Sequence, residues 1–465
     1  MPRHGGRASR PGLSRRLASL LTLTALAIPV LTAGGAPVAA AQAPPQGAAP
    51  LSRHVLPSGL VVLIRENRTA DLVAVDVLVR AAPRVEEADE GGAAFFVREV
   101  LFRGTARRSA ADIATGLEAV GGSLSALTSF DYTELAAVAP TAATDAALDL
   151  LADLVTDARF DPADVEAQRR ISLARLRARA DQPAARAFDL ALAALYPLHP
   201  YGKGLLGSAE TVSALSRDRL TAFYRTFYTA PNMVVSLAGN LPAEVALRKV
   251  EQAFARLRRQ PPPHRVRLLR VVEGALAPRP AQRREVREVR QTAQASIVVA
   301  YLGVPAGHRD WAALRALSAI LGEGLSSRLF VEIREKRGLA YAVGSSFSTL
   351  AGPAPILLSA GTDPANETRV VEALLGEAAR LGEAAAAPGE MDRARQRIIG
   401  VHAIDHEDLR RQAFLPGFYE LLGVGYAFDG RIPDLVSRVR AEDVQRAARL
   451  YLQHPVVAVV APPAR

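Results

Sequence analysis

Arg217-Asp218-Arg219-Leu220, then Phe223-Tyr224, then the apolar run Met233–Ala238 has a second version near the end of the chain: Glu442-Asp443-Val444, then Leu450-Tyr451, then Val456–Val460. A charged helix start, an aromatic near the helix end and a continuous apolar strand, written twice, mark a duplication of long period. Working outward, each copy also opens alike, with a strand leading into a helix: Val73–Val79 before Gly91, and Ser296–Tyr301 before Trp311. Further strand signals lie at Val61–Ile64, and Ala147, Leu150, Leu151 and Leu154 lie on one face of a helix. The expected fold is α+β: two homologous domains, each a sheet with helices packed on one face.

The chain has 465 residues, too many for one ordinary core, with a formal charge of +10 and no Cys. Arg3, Arg7, Arg10, Arg15 and Arg16 precede an apolar run, Leu17–Leu31, and then small residues ending Ala39-Ala40-Ala41. Residues 1–41 therefore read as a cleavable signal peptide, with Arg15-Arg16 leaving the twin-arginine route open. Its removal takes away five Arg and no acid, leaving +5. No later stretch is long and apolar enough to span a bilayer. The basic residues form no stripe interleaved with aromatics, which argues against nucleic acid. Without Cys there is no disulfide framework, thiolate metal site or lipoprotein anchor. The expected location is periplasmic or secreted. Residues 42–50 read as a flexible leader, 51–258 as the first domain, 259–288 as a linker rich in Pro and Arg, and 289–465 as the second domain. A basic patch for an acidic partner is the sharper alternative for the linker.

Two stretches carry a resemblance. Gly324-Leu325-Ser326-Ser327-Arg328-Leu329-Phe330 is followed by Ile333-Arg334-Glu335-Lys336-Arg337-Gly338-Leu339-Ala340-Tyr341, and residues 92–105 read GAAFFVREVLFRGT. They resemble the C-terminal signature and the HxxEH helix, with its closing LFxGT, of the pitrilysin/insulinase zinc metallopeptidases, in the branch of the mitochondrial processing peptidases. Gly121-Gly122-Ser123-Leu124-Ser125-Ala126 with Thr128 and Asp131, His199-Pro200-Tyr201-Gly202 and Pro231-Asn232-Met233 follow in the family's order, so the likeness covers essentially the whole chain after the signal peptide.

Anchored on Leu101-Phe102-Arg103-Gly104-Thr105, the family's two zinc histidines fall on Phe95 and Glu99, its general-base Glu on Arg98, and its third ligand, a Glu, on Arg175 within Ile171–Leu176. Zinc catalysis needs three N or O ligands and an open position for water. Phe95 offers none, two guanidiniums stay charged, and Arg98 can accept no proton from water. The resemblance thus implies a degenerate zinc site, inactive alone. An ion pair between Glu99 and Arg175 is the expected filling, with Phe95 beside it and Arg98 turned to the cleft mouth, where water solvates it.

In the family, the Arg and Tyr matching Arg334 and Tyr341 cross to the zinc-bearing half, hold the substrate backbone and stabilise the tetrahedral intermediate, while the strand matching Ser125, Ala126, Leu127 and Thr128 flanks the substrate. The implied role is a non-catalytic subunit of a periplasmic heteromeric zinc peptidase. Zinc would sit in a partner with an intact HxxEH helix, peptide would be the substrate, and this chain would carry no cofactor. The alternative is a stand-alone peptide-binding or scaffold pseudoenzyme.

One string stands outside this frame. His402-Ala403-Ile404-Asp405-His406 puts two histidines on one helical face. A third ligand at the family distance would fall beyond Arg465, Asp reaches less far than Glu, and Glu407 lies off the face. It reads as a polar helix with two ordinary histidines. The remaining histidines after the signal peptide, His54, His199, His264, His308 and His454, are scattered.

Overall fold

The computed structural model describes residues 51–261 and 277–463. The signal peptide, the leader and the middle of the linker lie outside the described residues. The first half runs β1 (Leu51–Val55), β2 (Val61–Glu66), β3 (Leu72–Val79), α1 (Ala93–Leu101), α2 (Ala110–Gly116), β4 (Ser123–Thr128) and β5 (Thr133–Pro140). It continues through α3 (Thr144–Thr156), α4 (Pro162–Ala180), α5 (Pro183–Leu195), α6 (Ala209–Ala214), α7 (Arg217–Phe227), β6 (Met233–Gly239) and α8 (Ala243–Ala253). The second half runs β7 (Arg284–Val289), β8 (Ala295–Leu302), α9 (Trp311–Gly322), a π-helical turn (Phe330–Glu335), β9 (Ala342–Phe347) and β10 (Pro355–Thr362). Then come α10 (Glu367–Glu383), α11 (Pro388–Asp405), α12 (Leu409–Leu422), α13 (Phe428–Ser437), α14 (Ala441–Tyr451) and β11 (Val456–Ala461).

The sheets repeat each other. The first has strand order β1-β2-β6-β3-β5-β4 and the second β7-β11-β8-β10-β9, the same order with no equivalent of β1 among the described residues. In each, the opening strand lies parallel to the closing one, β2 to β6 and β7 to β11, and the other matching pairs are antiparallel. The helices follow in step, α3 to α7 matching α10 to α14. This is the duplication expected from the repeated strand endings.

The strand Val73–Val79 is buried on both faces, which its sequence explains. Val73, Val75, Val77 and Val79 join the first-half core with Phe96, Val97 and Leu151, whereas Leu78 and Ala74 face the other way. That second face is covered by α12, a helix of the second half lying against β3 and β6. Reciprocally, α5 of the first half lies against β8 and β11. Beyond its polar first turn, helix α12 is buried on nearly every side from Ala413 to Leu422, as packing on several sides requires. Gly417 sets its approach, because a Cβ there would meet Leu78 Cδ1 at 2.6 Å. Each sheet is thus covered on both faces, the second by a helix exchanged between halves, and the described residues after the leader form one compact unit.

The linker reading needs one correction. Residues 284–288, assigned to it, belong to the edge strand β7, paired in parallel with β11 from Arg284↔Val456 to Val289↔Ala461. Its sequence, REVREV, lacks apolar alternation because it is an edge whose side chains work through charge. Arg186 Nε donates to Glu288 at 2.7 Å, Arg290 pairs with the same carboxylate, and Arg287 pairs with Glu367.

Candidate functional site

Helix α1 begins where two backbones nearly touch. Gly92 has φ +89°, and a Cβ there would meet the Leu206 carbonyl oxygen at 2.5 Å, so only glycine fits. With no side-chain cap at Gly92, the buried Glu86 carboxylate takes over, accepting from the Gly92 N–H at 2.9 Å and the Ala94 N–H at 2.8 Å. Burial pushes Glu86 up to about 7 despite those two bonds. From this fixed start, Phe96, Val97, Val100 and Leu101 enter the core. Phe95, Arg98 and Glu99 are left on the opposite side, at the contact of α1 with α4. Helix α4 starts at Pro162, capped by Asp161 Oδ1 accepting from the Ala163 N–H at 3.0 Å, and turns Gln168, Ser172 and Arg175 along one face.

The expected contact between Glu99 and Arg175 is made: Arg175 Nη1 lies 2.9 Å from Glu99 Oε1. Arg98 Nη1 reaches the same oxygen at 2.7 Å, and Gln168 Nε2 donates to Oε2 at 3.3 Å. Gln168 in turn accepts from Arg103 Nη2 at 3.1 Å. Phe95 lies beside the pair, its ring centroid 4.5 Å from Arg98 Cζ and 5.6 Å from Arg175 Cζ. Arg98 departs from expectation. Rather than reaching water at the cleft mouth, its side chain is only 14% exposed, packed on Phe95 and bound to its neighbour Glu99. The flat guanidinium gains more from the ring face and the carboxylate than from hydration. Burial lowers the Arg98 pKa, opposed chiefly by the charge of Glu99, and among the described residues Arg98 Nε has no hydrogen-bond partner.

The donor set settles what this arrangement can hold. One carboxylate is occupied on both oxygens, and two guanidiniums that keep their protons leave the cluster with a charge of +1. These residues do not fit zinc, and no reaction step can be routed through a metal here.

The other predicted residues lie apart from this cluster. Arg334 is on the π-helical turn, exposed, with Cζ 5.0 Å from the Phe330 ring centroid. Tyr341 is 59% exposed, and its N–H donates to the Gly361 carbonyl at 2.9 Å as the chain enters β9. Among the described residues, no hydrogen bond, ion pair or ring contact joins Arg334 or Tyr341 to Phe95, Arg98, Glu99 or Arg175. Ser125, Ala126, Leu127 and Thr128 do lie near the cluster in one respect: their strand β4 is the outer strand of the first sheet and touches α1. Ser125 and Leu127 are exposed, Ala126 and Thr128 half-buried, and among the described residues no strand lies beside the far edge of β4.

Sequence reasoning missed Glu86, Gln168 and Ser172. The last two had a signal, since 168, 172 and 175 fall on one helical face; Glu86 lies in a loop and had none.

Residues 61–209 match the family model described as Insulinase (Peptidase family M16), and residues 214–398 the one described as Peptidase M16 inactive domain. The chain is 36% identical to an uncharacterised zinc protease of Mycobacterium leprae, over 69% of this chain and 71% of that protein. It is 30% identical to an uncharacterised zinc protease of Streptomyces coelicolor, over 90% of each. Two crystal structures share the fold at 21% identity. A peptidase M16 inactive domain from Pseudomonas fluorescens has a TM-score of 0.79, covering 89% of this chain and 98% of its own. A protease from Helicobacter pylori has 0.81, covering 90% of this chain and 100% of its own. Among the described residues, no helix is long and apolar enough to cross a membrane.

Proposed function

This chain belongs to the insulinase (M16) peptidase family, and from that premise we propose that it is the non-catalytic subunit of a periplasmic heteromeric zinc peptidase. The observation carrying this reading is the Glu99 carboxylate held by Arg98 and Arg175 beside Phe95, on the helix pair where the family pattern places its zinc ligands and base. A partner with an intact HxxEH helix supplies zinc, water and base. This chain supplies Arg334 and Tyr341, whose exposure leaves both free to face a second subunit. A fixed guanidinium can hold a peptide carbonyl, and a phenol can donate to a developing oxyanion.

The test is isolation from a native soluble extract, followed by peptide hydrolysis assays on the separated and recombined chains. Cleavage is expected only when an HxxEH relative is present. Cleavage by the purified chain alone, abolished by changing Glu99, would overturn the reading. A second reading, a stand-alone peptide holder, is favoured by the unpaired edge of β4 with its alternating exposed side chains. Peptide binding by the lone chain, with no peptidase relative co-purifying, would select it.

A further inference from the structure

The string His402 to His406 acquires in three dimensions the third ligand it lacked in sequence. His402 lies on the last turn of α11 and His406 just beyond it, their ring centroids 4.2 Å apart. The first turn of α13 brings in Asp429, whose side chain is buried. His406 Nε2 lies 2.7 Å from Asp429 Oδ2, and His402 Nε2 3.3 Å from Asp429 Oδ1 and 3.1 Å from the Asp429 carbonyl oxygen. The three ligand atoms all lie within 4.8 Å of one another.

A second observation concerns orientation. His406 Nδ1 lies 2.6 Å from the His402 carbonyl oxygen, to which it can only donate. That bond fixes the ring and aims Nε2 at the cluster, the outer-partner arrangement found where imidazole binds a metal. In a tetrahedral zinc site, ligand atoms about 2.0–2.1 Å from the metal stand roughly 3.3 Å from each other. The two Asp429-to-histidine contacts, 2.7 and 3.3 Å, bracket that spacing, and the third pair lies within 4.8 Å. His402 and Asp429 also line a cavity of about 560 Å³, together with Leu127, Trp311 and Phe414, which leaves space for a fourth ligand.

We propose that His402 Nε2, His406 Nε2 and the Asp429 carboxylate form a site for one divalent transition-metal ion of the zinc class, its open position facing this cavity. Two imidazoles and a carboxylate are a donor set suited to zinc or cobalt. Proximity to Arg65, whose charge acts on both Asp429 and His406, works against a dication and limits the affinity. Asp405 also lines the cavity but is held by Arg411 at 3.0 Å, so it is not counted as a ligand. The proposal replaces the expectation that the chain carries no metal, and none of its three ligands is a residue of the proposed peptidase role, although Leu127 of β4 lines the cavity.

The experiment uses the untagged full chain, freed of metal by chelator and dialysis and then titrated with ZnCl2 by calorimetry and with CoCl2 by visible absorption. One zinc per chain is expected, with the intense d–d bands of four-coordinate cobalt and an upward shift in thermal midpoint on adding zinc. Asp429→Asn and His402→Gln should each weaken binding by at least about a hundredfold, more than loss of an outer partner does, while His308→Ala leaves it unchanged. Wild-type chain without stoichiometric binding overturns the proposal even if no variant folds. Binding that survives Asp429→Asn and His402→Gln also overturns it, by placing the metal elsewhere. Either result leaves the heteromeric reading standing, because that reading is decided by co-purification and cleavage.

Discussion

The two halves repeat one topology and fill it with opposite chemistry. Helix α4 and its counterpart α11 each contribute one member, Arg175 and His402, to a cluster with one carboxylate between two cationic or potentially cationic side chains. In the first half Glu99 lies between Arg98 and Arg175; in the second, Asp429 lies between His402 and His406. Guanidiniums keep their protons under all ordinary conditions, so the first cluster is a permanent ion group. Imidazoles can release theirs, as the proposed metal site in the second half requires. Contact distances are similar in both, and the exchangeable proton separates them.

The largest effect that can break this contrast concerns Tyr341 and Arg334, the second-half residues that the proposed function assigns to a partner's active site. In an assembled complex with an HxxEH partner, Tyr341→Phe is expected to lower turnover about a hundredfold, and Arg334→Ala comparably. Steady-state hydrolysis measured beside size-exclusion profiles separates lost chemistry from lost assembly. Full-speed turnover by both variants in an intact complex would remove these residues from the site.

Next comes the carboxylate itself. Glu99 is 13% exposed, and Glu99→Ala leaves Arg98 buried on Phe95 without its counter-charge. Stranding a buried charge costs about 3–5 kcal/mol; here Arg175 can turn to water, so roughly 2–3 kcal/mol is expected from denaturant unfolding. An unchanged midpoint would mean that the cluster is a surface decoration.

A comparable contrast exists at the helix starts, and pH reads it. Glu86 at α1 is pushed up to about 7 by burial. Its counterpart at α9, Asp310, would also be pushed up by burial, but hydrogen bonds from Arg446 at 2.7 Å and Tyr451 at 2.7 Å hold it below the usual carboxylate range. The signs are opposite. Between its unfolded value near 4.5 and about 7, folded Glu86 binds more protons than the unfolded chain, so its contribution falls as pH rises through that window. Asp310 contributes above its unfolded value and loses that contribution only as pH falls through its lowered one. Stability in Glu86→Gln is expected to decline less than in wild type between pH 5 and 8, by on the order of 1–2 kcal/mol. Equal slopes would show that Glu86 is ionised throughout.

The repeated strands were legible because continuous apolar runs such as Met233–Ala238 and Val456–Val460 have no other use in a globular chain. The positions of Phe95, Arg98, Glu99 and Arg175 were legible too, since one anchored helix and one spacing placed them, and the Glu99–Arg175 contact followed from opposite charge. Strand β7 was hidden by its charge, and the exchange of α5 and α12 by the fact that helix periodicity names a buried face but not the sheet that buries it. Arg98 was misplaced because a sequence gives no rotamer, and the ring of Phe95 supplied a competitor to water. Asp429 lies on another helix 23 residues beyond His406 and gave no local sign.

The smallest effect sharpens the contrast most. Arg175 is 46% exposed, so its bond to Glu99 is close to a surface ion pair, worth about 0.5–1 kcal/mol at most. Arg175→Ala should therefore cost little in denaturant unfolding, because Arg98 and Gln168 still hold Glu99. A double-mutant cycle between Glu99→Ala and Arg175→Ala should give a coupling within the same range. Zinc binding gives the complementary reading. Arg175→Glu restores a ligand type at that position, yet Phe95 and Arg98 remain, so a metal-stripped Arg175→Glu, Asp429→Asn double variant should still bind no stoichiometric zinc by calorimetry. A cost well above 1 kcal/mol would make Arg175 a structural member of the cluster, whereas zinc bound by that double variant would make it the main barrier to metal. If neither occurs, exclusion of zinc rests on α1 itself, on Phe95 and Arg98, and Arg175 merely completes the charge.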